Sequence, residues 1–346
     1  MAAFENLALS DALILFVICA LAVWRAGSGL AYVADALSDR FRWEKSLVGL
    51  MALSTATSLP EIATTLSAAA SQARELVLNN LFGGIALQTA ILAMADFWAR
   101  GSITNYPRKA NHALEATLLN FMLGLTLIVL INGEPLSVSG VGVGSLTIAV
   151  FYVGSIWLLR KYDQSGDWVP VDLPDPEEDG RRSNTADPDA ATSSLVLKAI
   201  LYSCMILAFG LGLVISAESI AQLSGLGTSF VGVTLLAAAT SLPELTTSIA
   251  AVRLGAYTLA ISNIFGSNLI MLVLVFPADI LFRSGPILRD TSQTVYASLG
   301  FGIAVTSIFL TGLIVRRKPR LGPIGADSVL VLIVFLASLG SYYLLK

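Results

Sequence analysis

Ten long apolar segments follow one another along the sequence, separated by short polar breaks. A helix needs roughly 20 apolar residues to cross the hydrocarbon core of a bilayer. Segments near that length lie at 11–34, 46–72, 76–99, 112–132, 137–160, 195–221, 228–252, 255–282, 291–314 and 326–345. Only 13% of the 346 residues are charged, whereas soluble domains carry about 25%. The sequence therefore predicts an all-α integral membrane protein with ten transmembrane helices, whose partner is the lipid bilayer and which has no nucleic-acid partner.

A polar stretch divides these segments into two groups of five. Residues 161–194 carry nine acidic side chains and four prolines, a composition that cannot bury a core. We predict a flexible acidic linker there, between a first five-helix repeat at 1–160 and a second at 195–346.

Lysine and arginine are distributed unevenly between the two sides of this ten-span arrangement. The loops on the side of the linker carry 16 of them, and the other side with both termini carries four. Because Lys and Arg accumulate in cytoplasmic loops, we predict a cytoplasmic linker with both termini outside. The compact chain suits a prokaryotic plasma membrane.

The two halves contain a duplicated segment. Residues 56–96 and 239–279 align without a gap at an offset of 183 and share 15 identities in 41 positions, including the hexapeptide ATSLPE. Each copy lies in a longer repeat, at 46–99 and 228–282. With five spans per half, the second copy is inverted relative to the first, which predicts a 5+5 inverted-topology repeat of the kind that forms midplane ion sites in secondary transporters.

Each ATSLPE segment places a proline and a glutamate inside an apolar helix. Pro60 and Pro243 each remove a backbone hydrogen bond and break the helix. Glu61 and Glu244 each cost at least about 2.5 kcal/mol near the bilayer centre, so such groups face a pathway or a partner. Free carbonyl oxygens beside a carboxylate suit a hard cation such as Ca²⁺ or Na⁺. The alternative is that each glutamate pairs with a base, but Arg25 is the one candidate inside a span.

Three further polar groups have simpler interpretations. We predict that His112 is solvated at the headgroup level, and that Asp96 and Asp279 form solvated ion pairs with the arginines four residues later. With a single histidine and no paired aspartates inside a span, the sequence excludes an intramembrane hydrolase.

The paired TSLPE segments resemble the alpha-repeats of the sodium/calcium exchanger family, within the cation/calcium antiporter superfamily. The resemblance covers the ten-span plan, the linker and both repeats. It implies a secondary active antiporter without a cofactor, which exchanges Ca²⁺ or a similar divalent cation for Na⁺ by alternating access. One chain contains both repeats, so a monomer could suffice.

The resemblance also implies which residues hold the transported ions. Glu61 and Glu244 would be the central ligands. Hydroxyl or carbonyl oxygens would come from the residues around each break, namely Thr57, Ser58, Thr240 and Ser241, with backbone carbonyls from Ser54 and Ala237. Ser267 and Gln88 would contribute from the spans that follow each glutamate.

The third and eighth spans depart from the family pattern of Gly-Ser-Asn followed by an amide or carboxylate. The third span reads Gly83-Gly84-Ile85 and then Gln88, and the eighth has Met271 where the last ligand is expected. A thioether is a poor ligand for a hard cation. Two alternatives therefore remain open: an H⁺-coupled cation exchanger, and a non-transporting membrane sensor that retains the fold.

Overall fold

The computed structural model describes residues 8–107, 109–165, 191–224, 237–316 and 319–344. Within these ranges, eight helices are long and apolar enough to cross a membrane, and one further bent helix pair meets the same test. The helices are α1 Leu9–Phe41, α2 Lys45–Leu47, α3 Ser54–Thr57, α4 Leu59–Ala70, α5 Arg74–Ala95, α6 Asn111–Ile131, α7 Val143–Ser165, α8 Thr192–Leu223, α9 Leu242–Arg253, α10 Tyr257–Val273, α11 Val275–Leu281, α12 Gln293–Val315 and α13 Ala326–Leu344.

Most of the predicted spans correspond to these helices. The predicted span 228–252 is described only from residue 237, where residues 237–240 are helical and α9 follows. The count of ten therefore stays a prediction. Most of the predicted linker, residues 166–190, lies outside the described residues, and its two ends belong to α7 and α8.

Two short antiparallel hairpins were not expected from the hydropathy pattern. β1 Ser137–Val138 pairs with β2 Val141–Gly142, so the helix of the span predicted at 137–160 begins only at Val143. β3 Arg320–Leu321 pairs with β4 Ile324–Gly325 in the second half. The second hairpin lies 183 residues after the first, the same offset as the sequence repeat, so the duplication extends beyond the ATSLPE segments.

Asp96 and Asp279 hold these hairpins, and the prediction of solvated ion pairs is wrong for both. Their side chains are buried, at 0% and 1% exposure. Asp96 accepts the backbone N–H of Gly325 at 2.7 Å, and Asp279 accepts that of Gly142 at 2.7 Å. Each aspartate therefore binds the hairpin of the other repeat, and backbone donors, not the arginine four residues later, satisfy the carboxylate.

Both proline-containing helices break at a serine. Ser58 has φ −82° and ψ 4°, and Ser241 has φ −89° and ψ 6°, which depart from helical values in the same way. The segment Lys45–Thr57 meets Leu59–Ala70 at an angle of 53°. A π-helical turn at Val48–Leu53 precedes this break, and such turns occur often at functional sites.

Glycines bring the broken helices into close contact with their neighbours. The backbone oxygen of Leu259 is 2.7 Å from the place that a Cβ on Gly49 would occupy, so α10 and the π-helical turn are in direct contact. α1 and α8 pack along one another. Gly27 of α1 leaves no room for a Cβ against Thr246, and Gly210 of α8, again 183 residues later, leaves none against Pro60.

Candidate functional site

The two glutamates of the repeated hexapeptide lie in the first turn of the helices that follow the breaks. Glu61 is in α4 and Glu244 is in α9. Their exposed fractions are 1% and 0%. A helix N-terminus carries partial positive charge and favours a carboxylate. The break therefore positions each carboxylate inside the protein, at a helix N-terminus whose dipole stabilises its negative charge.

Glu244 is held by hydroxyls from both repeats. Ser58 donates to Glu244 Oε1 at 3.2 Å, and Ser267 of α10 donates to the same oxygen at 3.2 Å. The two serine hydroxyls also contact each other. Glu244 Oε2 is buried and has no hydrogen-bond partner among the described residues. The structure thus brings together three of the predicted site residues around one carboxylate oxygen.

Glu61 has a different environment, although the hexapeptide around it is identical. Both of its carboxylate oxygens are buried without a hydrogen-bond partner in the described part of the chain. The position that corresponds to Ser267 is Gly84, which has no hydroxyl to offer. Ser241, which corresponds to Ser58, is buried, but its hydroxyl forms no hydrogen bond to Glu61 within the described residues.

Gln88 is a further buried polar residue without a hydrogen-bond partner among the described residues. It lies on α5, is 0% exposed, and neither Oε1 nor Nε2 finds a partner within the described ranges. Buried polar groups are hydrogen-bonded in the great majority of cases, and an unsatisfied one calls for an explanation such as an ion. Met271 occupies the corresponding position of α10 and is 1% exposed.

The remaining predicted ligands are occupied by local hydrogen bonds. The carbonyl of Ser54 accepts the N–H of Ser58 at 2.9 Å and the hydroxyl of Thr57 at 3.2 Å. The carbonyl of Ala237 accepts the N–H of Ser241 at 3.1 Å and the hydroxyl of Thr240 at 3.0 Å. A cation at either carbonyl would take the place of the threonine hydroxyl. Ligation by these four groups stays a prediction.

Sequence reasoning did not select Asn268 as a site residue. It is 0% exposed on α10, donates to Thr89 at 3.3 Å, and leaves its Oδ1 without a partner among the described residues. The signal in the sequence was the surviving Gly-Ser-Asn segment. Asn80 and Asn263 have a bracing role, because they donate to Thr65 at 3.1 Å and to Thr247 at 3.2 Å, on the helices that follow the breaks.

Basic side chains do not neutralise the two glutamates in the part of the chain that the structure describes. Arg25 is exposed, and the ion pairs of the described residues involve neither Glu61 nor Glu244. Two buried carboxylates without a counter-charge are strongly unfavourable. The two carboxylates can therefore bind cations or protons.

The prediction for His112 is wrong. Its side chain is 2% exposed and its Nδ1 lies 2.9 Å from Glu115 Oε2, so the ring is buried and paired instead of solvated. The i,i+3 spacing of His112 and Glu115 is visible in the sequence, but the burial of the ring is not, because Ser262 comes from a distant segment.

Comparison with known proteins agrees with this architecture. The chain is 24% identical to the inner membrane protein YrbG of Escherichia coli (strain K12), over 89% of this chain and 90% of that protein. Structures of the sodium-calcium exchanger NCX_Mj are similar in fold. One determined with Na⁺ and Sr²⁺ has a TM-score of 0.72 at 15% identity, covering 96% of this chain and 99% of that one. Another, with Na⁺ and Ca²⁺, has a TM-score of 0.71 at 16% identity, covering 95% and 98%.

The model of the family described as sodium/calcium exchanger protein matches residues 11–160 and again residues 194–343. The two matches fall in the two halves that the repeat defines. Members of this family act on inorganic cations in a membrane, use no cofactor and are not enzymes. The chain belongs to the sodium/calcium exchanger family of multi-pass membrane antiporters.

Proposed function

We propose that this protein exchanges Ca²⁺, or a similar divalent cation, for Na⁺ at a site between Glu61 and Glu244. The observation that carries the proposal is the set of three buried carboxylate oxygens that have no hydrogen-bond partner among the described residues: both of Glu61 and one of Glu244. Two negative charges match one divalent cation, and carboxylate oxygens are preferred ligands of Ca²⁺.

Neutral oxygens around the two carboxylates would complete the coordination. Ca²⁺ takes six to eight oxygen ligands. Ser58 and Ser267 already face Glu244, and the amide oxygens of Gln88 and Asn268 are buried and unpartnered within the described residues. Thr57, Thr240, Ser241 and the carbonyls of Ser54 and Ala237 are the further candidates, as the family resemblance implies.

Alternating access would proceed by sliding of α1 and α8 across the rest of the bundle. These helices pack along each other, and each presents a glycine to the broken helix of the opposite repeat, Gly27 to Thr246 and Gly210 to Pro60. Small residues at a helix crossing let two surfaces pass closely. The outer faces of both helices expose large apolar side chains that suit lipid, including Leu13, Ile14, Leu197 and Ile200.

The orientation follows from the distribution of Lys and Arg. We place both termini outside and the acidic linker in the cytoplasm of a prokaryotic cell. The similarity to an inner membrane protein supports this membrane. Both glutamates come from one chain, so a monomer could carry out transport.

A proton-coupled exchanger is the second candidate, and the asymmetry of the site favours it. Met271 supplies no oxygen where the family pattern has a ligand, and Glu61 has no hydroxyl donor among the described residues. Fewer neutral oxygens weaken Na⁺ binding, which would leave protons to neutralise the carboxylates on the return step.

Flux into proteoliposomes tests both candidates. The purified chain is reconstituted, and uptake of ⁴⁵Ca²⁺ is measured with Na⁺, K⁺ and H⁺ gradients imposed one at a time. We expect uptake driven by Na⁺, and its loss in Glu61→Gln and in Glu244→Gln. Glu75→Gln is the matched control, because Glu75 is exposed at the start of α5. Uptake with only a pH gradient would select the second candidate, and unchanged uptake in both glutamine variants would overturn the site.

A further inference from the structure

The buried pair of His112 and Glu115 lies outside the candidate ion site. His112 Nδ1 is 2.9 Å from Glu115 Oε2, and both side chains are 2% exposed. Ser262 of α10 joins them: its hydroxyl donates to Glu115 Oε1 at 2.7 Å and lies 3.1 Å from His112 Nδ1. Within the described residues, His112 and Glu115 form hydrogen bonds or ion pairs only with each other and with Ser262.

The hydrogen bonds of this cluster require a proton between the ring and the carboxylate. The hydroxyl hydrogen of Ser262 is used by Glu115 Oε1, so the short contact between Nδ1 and Oε2 needs a hydrogen on one of those two atoms. A second proton, on the imidazole, would convert a buried lone carboxylate into a neutral ion pair. A buried charge is costly unless it is paired, and histidine is the side chain that changes charge near physiological pH.

A cavity borders His112. A space of about 510 Å³ is lined by His112 and by charged residues at the ends of α1, α2 and α6, which are Asp39, Arg42, Glu44, Lys45 and Lys109. Lys45 is 2.5 Å from Asp35 and 3.5 Å from Asp39, and Lys109 is 2.9 Å from Glu44. These cations are engaged by nearby carboxylates and do not contact Glu115.

The other titratable groups that line this cavity are two tyrosines. Tyr257 of α10 stacks on Tyr106 with ring centroids 4.1 Å apart. The other helices packed on α6, namely α7 and α12, provide no charged partner to the pair among the described residues. His112 is therefore the cationic partner available to Glu115.

The pair is connected to the helix that carries the ion site. Ser262 is followed by Asn263, whose Oδ1 accepts from Thr57 at 3.5 Å, and the Cβ of Ser262 packs against Gly49 in the π-helical turn. The repeat has no second copy of the pair, since the positions 183 residues later are Val295 and Ser298. A proton bound here would act from one face of the membrane only.

We propose that His112, Glu115 and Ser262 form a proton-binding site, distinct from the ion site, through which pH on the side of the Lys- and Arg-rich loops regulates transport. The regulatory part rests on the proposed function, whereas proton binding does not. Protonation keeps His112 and Glu115 paired and holds α10 against α6. Loss of the proton leaves Glu115 buried without a counter-charge and weakens the contact through Ser262.

The first test is independent of transport, and it uses the fact that the chain has a single histidine. The protein labelled with ¹⁵N-histidine is studied by NMR in lipid nanodiscs from about pH 5 to pH 8. We expect one imidazole whose ¹⁵N shifts change with pH in this range, and a different pH response in Glu115→Gln. Shifts that do not change with pH, or the same pH response in Glu115→Gln, would overturn the proton site.

The second test measures the effect on flux. Uptake of ⁴⁵Ca²⁺ driven by Na⁺ is measured with equal pH on both sides of the vesicle membrane, so that no proton gradient contributes. We expect the wild-type rate to change about fivefold across this pH range, and the rates of His112→Gln and Ser262→Ala to change less with pH than that of the wild type. Ser262→Ala should still show the imidazole titration. An unchanged pH profile in both variants would overturn the regulatory role, whereas titration without any flux would leave the proton site intact and reject the proposed function.

Discussion

The hydroxyl of Ser58, in the first repeat, donates a hydrogen bond to Glu244 Oε1, in the second, at 3.2 Å. The corresponding serine, Ser241, forms no such bond to Glu61 within the described residues. Sequence symmetry is therefore not accompanied by symmetry of contacts. One carboxylate accepts hydrogen bonds from two hydroxyls, and the other has no hydrogen-bond partner among the described residues.

Ser58→Ala should weaken calcium binding more than Ser241→Ala. A hydrogen bond to a charged group contributes about 1.5–3 kcal/mol, so we expect the KM for Ca²⁺ to rise about tenfold or more in Ser58→Ala. Ser241→Ala removes a hydroxyl that is not bonded to a carboxylate and should have a smaller effect. Concentration dependence of ⁴⁵Ca²⁺ uptake measures both. Equal effects of the two substitutions would contradict the asymmetry.

Met271→Asn should increase the affinity for sodium. The side chain faces the first repeat, since its methyl carbon lies 3.8 Å from the position of a Cβ on Gly84. An asparagine would add an oxygen where the thioether offers none. One net polar contact is worth about 1 kcal/mol, which corresponds to about a fivefold lower Na⁺ concentration for half-maximal exchange.

Met271→Leu is the matched control for this substitution. It conserves volume, so its cost in stability should stay below about 1.5 kcal/mol, and it adds no ligand. We expect the same sodium dependence as the wild type. If leucine and asparagine gave the same shift, packing and not ligation would explain it.

Asp96→Asn and Asp279→Asn should each lower the thermal stability of the protein. Both oxygens of Asp96 accept backbone N–H groups, from Ile103 at 2.6 Å and from Gly325 at 2.7 Å. An asparagine has one oxygen, so one buried N–H loses its acceptor, at a cost of about 1–3 kcal/mol. Asp279 has the same type of pairing to Ile287 and Gly142.

Thermal unfolding of the detergent-solubilised variants measures this effect. Asp290→Asn serves as the control because Asp290 is exposed and adopts a positive φ of 52° that asparagine tolerates. We expect its midpoint to match that of the wild type. Equal midpoints in all three variants would show that these aspartates do not hold the hairpins.

The fold could be predicted from the sequence because the hydropathy pattern and the internal repeat are both strong signals. Hydropathy gives the length of each span, and the offset of 183 relates the two halves even at the hairpins and at Gly27 and Gly210, which the alignment of 56–96 did not cover. Asp96 was misread because the sequence shows only its neighbour Arg100. Its acceptor role depends on Gly325, 229 positions away, and chain proximity carries no information about such a partner.

The residues of the candidate site and part of its asymmetry could be predicted from the sequence. Two identical hexapeptides by themselves predict two equivalent carboxylates. The difference between them arises from Gly84 opposite Ser267 and from the direction in which Ser58 points, and only the first of these is visible in the sequence. The burial of His112 and Glu115 was equally hidden, because Ser262 completes the cluster from another helix.

Glu134→Gln should stabilise the protein at neutral pH. Glu134 lies between α6 and β1 and is 3% exposed. Burial raises the pKa of its carboxyl above the ordinary 4.5, although the backbone N–H of Ser145 opposes the shift. A carboxyl with a raised pKa in the folded state contributes stability that is present below pH 4.5 and lost as the pH rises through the folded value. Gln retains an oxygen that can accept from the backbone N–H of Ser145, but it carries no charge.

We expect the thermal unfolding midpoint of Glu134→Gln to equal that of the wild type near pH 4 and to exceed it at pH 7, whereas Glu75→Gln, at an exposed position, should show no such trend. A variant less stable than the wild type at pH 7 would show that the charged form of Glu134 is favoured by the fold.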